Sequence, residues 1–123
     1  MKKPSLASLR RKALKLWSLR VREKAGMKCE VCGRTEFTNA HHIISKRFNT
    51  TRFSVLNGAC LCPLCHKFSP NKSAHCNPIW FHYWLLKNKP DSVTWLLEHQ
   101  TSKIEETREY LERVIVALIV TIP

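Results

Sequence analysis

Residues 29–33 read Cys-Glu-Val-Cys-Gly and residues 62–66 read Cys-Pro-Leu-Cys-His, with Ala40-His41-His42-Ile43 and Asn57 between them. The two-residue spacer of each Cys-x-x-Cys pair lets both sulfurs reach one ion, and two such pairs close a tetrahedron. Cys29, Cys32, Cys62 and Cys65 are therefore expected to hold a structural zinc. The histidines that they bracket could form a second, open metal site at which chemistry is done. Gly33 supplies the permissive backbone of a tight turn around the metal. The stretch from Cys32 to Cys62 is longer than a compact zinc ribbon needs, so it must contain structure of its own. Cys60 and Cys76 are left over. Cys60 lies close enough to Cys62 to leave an exchanged ligand open, and the simpler reading for both is a buried or free thiol.

Within that spacer, Thr38 to Ile44 and Phe53 to Leu56 read as short strands. They are joined by a polar, basic loop holding Lys46, Arg47, Asn49, Thr50, Thr51 and Arg52. Consecutive strand residues point to opposite faces, so His41 and His42 cannot do the same job. One can bind a metal while the other holds a water as general base, provided local twist brings both toward one phosphate. His66 directly follows Cys65, so the ion that fixes the thiolate also fixes where the imidazole points.

Outside this unit the pattern is helical. Leu6, Leu9, Ala13, Leu16 or Trp17, and Val21 recur at helical spacing after Pro4, and the helix is expected to stop near Gly26. Its other positions carry Arg10, Arg11, Lys12, Lys15, Arg20, Arg22 and Lys24, a charged face that is either solvated or laid along phosphates. After the proline-punctuated segment 69–78, Ile79 to Lys87 predicts an aromatic-rich helix and Pro90 a second one through Leu97. Ser102-Lys103-Ile104-Glu105 matches a capping box for a last helix carrying Leu111 and Leu118.

A chain of 123 residues suits one domain with a modest core, which a structural metal would help to fold. The expected division is a basic helix over 1–27, a zinc-stabilised core over 28–78 and a helical part over 79–123. The net charge of +12, from 21 Lys and Arg against 9 Asp and Glu, favours a polyanionic partner. Nucleic acid is the first candidate and an anionic membrane surface the second. Six cysteines without an apolar leader segment point to a reducing, cytoplasmic setting rather than to disulfides. The apolar run Val114 to Ile122 is too short to span a bilayer.

The order Cys-x-x-Cys, His-His-Ile, Asn, Cys-x-x-Cys-His over residues 29–66 resembles the zinc-containing branch of the HNH endonucleases. That resemblance implies an α+β fold with a small ββα-metal core, and metal-assisted hydrolysis of DNA to 5′-phosphate and 3′-hydroxyl ends. It implies that His42 is the general base, that His41 and His66 bind a catalytic divalent metal, and that Asn57 ties the loop and orients the base. Many family members place a further His or Asn one helical turn after His66. Here that position is Pro70, which cannot continue the helix. His75 is the expected third ligand, with Asn71 second. The set suits magnesium, manganese, nickel or zinc alike. Lys46, Arg47 and Arg52 are expected on DNA phosphates, without base reading. Trp17-Ser18-Leu19-Arg20-Val21-Arg22 and His75-Cys76-Asn77-Pro78 resemble phage recombination proteins of the NinG type, which implies a phage or mobile-element origin. The rival reading is a zinc-dependent nucleic-acid-binding module that cuts nothing.

Overall fold

The computed structural model describes residues 2–100 and 102–120. Helix α1, Leu6–Lys24, begins where the Ser5 hydroxyl accepts a hydrogen bond from the Ser8 amide at 3.0 Å. It ends at Ala25, followed by Gly26 at φ +69°. The helix buries Leu9, Ala13, Trp17 and Val21, one face at helical spacing. Against that face lies helix α4, Arg108–Val120, which contributes Leu111, Ile115 and Leu118. Each such aliphatic side chain stabilises the pair by about 1.5–3 kcal/mol when fully buried. The end of the apolar run, Ile122, lies outside the described residues. Among the described residues no helix is long and apolar enough to cross a membrane.

Strands β1, Asn39–His42, and β2, Gly58–Leu61, form an antiparallel hairpin in which His41 pairs with Ala59 and His42 with Gly58. The expected strand at Phe53 to Leu56 is corrected by this register. Ser54 instead caps a 3₁₀ turn, Val55–Asn57, by accepting the Leu56 amide at 3.2 Å, and the strand follows it. β2 is buried along its whole length. Gly58 permits this, because a Cβ there would run into the Val21 methyls and approach Trp17 Cζ2 to 3.1 Å. The basic loop is thus residues 43–57, and α1 presses directly on the hairpin.

After β2 the chain makes a five-residue π turn, Leu64–Phe68, closed by the Ser69 amide donating to Leu64 O at 2.8 Å. This short turn, stopped before Pro70, takes the place of the helix in the ββα unit. Helices α2, Pro78–Asn88, and α3, Pro90–His99, follow. Phe81 and Leu85 of α2 pack with Cys29, Ala59, Leu61, Cys62 and Cys65 in a second core. The capping box at Ser102 to Glu105 is also corrected, since α4 starts later, with Thr107 Oγ1 accepting the Tyr110 amide at 3.1 Å. Residues 102–107 run instead across the basic loop. Asn49 Nδ2 donates to Ile104 O at 2.8 Å, Thr50 hydroxyl donates to Ser102 O, and Glu106 pairs with both Arg10 and Arg52.

Candidate active site

The sulfurs of Cys29, Cys32, Cys62 and Cys65 lie within 4.8 Å of one another. Cys32 and Cys62 stand 3.6 Å apart, against about 3.8 Å for two sulfurs each ~2.3 Å from a tetrahedral zinc. The first pair is shaped by a turn in which the Gly33 amide donates to Cys29 O at 2.9 Å, with Gly33 at φ +80°. Burial pushes the Cys29 thiol up, but amides of Cys32, Cys62 and Val31 outweigh it and bring it down to about 7. Cys65 is pushed up, by burial first and then by the neighbouring thiols. A cation at the centre would relieve that crowding by replacing the protons. The cluster is compatible with structural zinc. Cys60 is buried but stands apart, its amide donating to Glu30 Oε2 at 2.7 Å, and the exposed Cys76 thiol donates to Lys67 O at 2.8 Å.

A second cluster is built from imidazoles. His41 comes from β1, His66 from the π turn and His75 from the loop beyond it, and their ligand nitrogens also lie within 4.8 Å of one another. His66 Nε2 and His75 Nε2 are 3.1 Å apart, within the roughly 3.0–3.4 Å expected of two nitrogens ~2.1 Å from one ion. Pro70 turns the chain back, and the Ala74 and His75 amides then donate to Cys65 O at 2.9 Å and His66 O at 3.0 Å. His75 is thereby set opposite His66. Asn71 is exposed and outside the cluster, its carbonyl accepting from Asn77 Nδ2 at 3.1 Å. Burial, followed by the nearby His66, His75 and His42, lowers His41 to about 3. Burial and then the His75 and Lys67 charges lower His66 to about 4. Both rings are neutral near pH 7, with lone pairs available to a cation.

His42 points to the other side of the strand. Its ring stacks on Trp17 of α1 with centroids 3.7 Å apart and planes 10° apart. Its Nε2 is 2.9 Å from Arg52 O, and since a carbonyl only accepts, Nε2 carries the proton and Nδ1 keeps its lone pair. Burial lowers the His42 pKa; the Arg52 carbonyl opposes that, while the Lys46 and Arg52 charges add to it. Trp17 is itself held, donating from Nε1 to Ser54 O at 2.6 Å. Because β1 ends at His42, both histidines border one open cleft of about 470 Å³, together with His66, His75, Lys46 and Lys67.

Asn57 is fully buried and bonds Ile44 in both directions: Ile44 N donates to Oδ1 at 2.7 Å, and Nδ2 donates to Ile44 O at 3.0 Å. It closes the two ends of the loop on each other, while the group bonded to His42 is the Arg52 carbonyl. Lys46 and Arg47 are exposed. Arg52, grouped with them as a phosphate contact in the sequence, has its guanidinium paired with Glu106 and its side chain only 17% exposed. The Arg52 carbonyl and Lys67 were not among the expected site groups, and Trp17 was expected to pack the helix, not to touch His42. Only Lys67, adjacent to His66, carried a local signal.

Residues 29–71 match the family model for HNH endonuclease. That span contains both cysteine pairs, His41, His42, Asn57 and His66, and it stops short of His75. No curated protein and no solved structure matches the chain.

Proposed function

With an HNH endonuclease segment at residues 29–71 as the premise, we propose that this protein is a metal-dependent DNA endonuclease. The observation that carries this reading is the meeting, in one cleft, of three imidazoles fit to hold a cation and a fourth whose Nδ1 is free to take a proton. A divalent cation held by His41, His66 and His75 would supply positive charge to the phosphate in the transition state and to the leaving 3′ oxygen. His42 withdraws a proton from the attacking water at Nδ1. The carbonyl on its Nε2 stabilises the imidazolium that results. Lys46 and Lys67, in the cleft, and the exposed Arg47 next along the loop position the phosphate backbone without reading bases, so affinity falls steeply with salt. The four thiolates hold zinc and fix the turn bearing His66.

Purified protein is expected to nick supercoiled plasmid with added magnesium or manganese, and His42→Ala to lower the rate by about 10²–10⁴-fold. Zinc content is expected to be equal in the two. If neither protein cuts supercoiled, nicked or branched DNA while both bind it, the non-catalytic binding module replaces the enzyme.

A further inference from the structure

We propose that Glu106, far outside the HNH segment, is a positioning residue for His42 that acts through Arg52. The link to cutting rests on the endonuclease reading, whereas the positioning itself does not. A backbone carbonyl can fix a histidine's tautomer and ring only if its own place is fixed. The Arg52 carbonyl belongs to a loop whose two ends are closed by Asn57 and whose middle has no strand partner. The segment 102–107 braces that middle from outside, beside Phe53, which packs with Leu9, Ala13, Leu111 and Ile115. Glu106 has a side chain only 7% exposed and pairs at Oε2 with Arg52 Nη2 and at Oε1 with Arg10 Nε of α1. Two further bonds, from Asn49 to Ile104 O and from Thr50 to Ser102 O, lay the same segment along the loop.

The arrangement forms one chain of contacts from α1 to the base. Arg10 anchors Glu106, Glu106 anchors the Arg52 guanidinium, and the Arg52 carbonyl accepts from His42 Nε2 at 2.9 Å. Trp17, on the same helix as Arg10, covers the face of the ring. His42 is thus oriented on its edge by the loop and on its face by α1, and Glu106 is the carboxylate that locks the two supports together. Removing that carboxylate leaves two guanidinium groups facing each other with no counter-charge, which drives Arg52 and its carbonyl outward.

The test is nitrogen-15 histidine NMR of the full-length, zinc-loaded protein with magnesium, read beside steady-state plasmid nicking. In the parent, His42 is expected as a single Nε2–H tautomer. Glu106→Gln is expected to give a mixture of tautomers and a kcat about 10–100-fold lower, with KM unchanged. Arg10→Met, which removes the α1 anchor of Glu106 but leaves the Glu106–Arg52 pair, is expected to shift the tautomer mixture and kcat in the same direction by less. Arg52→Met retains the backbone carbonyl and is expected to reproduce the Glu106→Gln result, so it serves if Glu106→Gln does not fold. A single Nε2–H tautomer and parental kcat in folded Glu106→Gln or folded Arg52→Met overturns the proposal. A parent that leaves DNA uncut overturns the endonuclease reading instead, and the tautomer comparison still decides the role of Glu106.

Discussion

Cys65 and His66 are neighbours on one π turn, yet Cys65 is buried among thiols and apolar side chains while His66 opens on a cleft. Four sulfurs close completely around their centre, leaving no position for substrate. Three imidazoles leave several positions free for any octahedral cation. The difference lies in what the surroundings exclude. Phe81 and Leu85 of α2 seal the cysteine side, whereas the histidine side opens on a cleft whose lining includes the exposed Ser45, Lys46 and Lys67. One turn of backbone therefore carries Cys65, in a closed four-thiol cluster compatible with structural zinc, and His66, in a three-imidazole cluster open to a cleft.

The strongest way to break this comparison is to change the two neighbours one at a time. Structural zinc in small domains contributes roughly 10–16 kcal/mol of apparent binding free energy, as large as the whole stability of a domain this size. Cys65→Ser is therefore expected to lose zinc and cooperative unfolding together, as seen by metal analysis and circular dichroism. His66→Ala is expected to keep both, and to lose the binding of manganese measured by calorimetry. If the two variants behave alike, the sites are not separable.

Gly58→Ala tests how the hairpin is held from the side of α1. An added methyl must displace Val21 and Trp17, which costs about 1–3 kcal/mol of stability in urea unfolding. Because Trp17 stacks on His42, cutting is expected to fall as well, although Gly58 lies outside the cleft. Zinc content is expected to stay at one ion per chain, since no thiol moves.

The smallest expected effect is in pH. His41 and His66 titrate near 3 and 4 in the folded protein, below the usual 6.5, so as pH falls the unfolded chain takes up their protons first. Their contribution is complete above about pH 6.5 and is lost as pH falls toward 4. Without added divalent metal, thermal melts of the parent at pH 7 and pH 5 are expected to differ more than those of His66→Ala. An equal drop in both would show that the imidazoles are not held neutral by the fold.

Much of this was legible along the chain. The helix ending near Gly26, both Cys-x-x-Cys pairs, the break at Pro70 and the helices after Pro78 and Pro90 each follow from residues within a few positions of one another. The second strand was misplaced because Phe53 to Leu56 has the more β-prone composition. What decides it is the space under Val21 and Trp17, which only Gly58 fits. The capping box failed for a similar reason: Ser102, Ile104 and Glu106 bond to the loop at Thr50, Asn49 and Arg52, and the helix starts only after Thr107.

The sequence by itself brought the four cysteines together, because ligand spacing is a local property with two residues between the thiols of each pair, whereas His41 and His66 were singled out as ligands through the family resemblance. His75 was the expected third donor with Asn71 second, and the fold brings His75, not Asn71, beside His41 and His66. Only the tertiary structure decided which cations remain exposed, what orients His42 and why the loop keeps its shape. Those answers require Trp17, Arg52 and Glu106 to meet from three distant parts of the chain, and burial and charge pairing between such residues leave no periodic mark in the sequence.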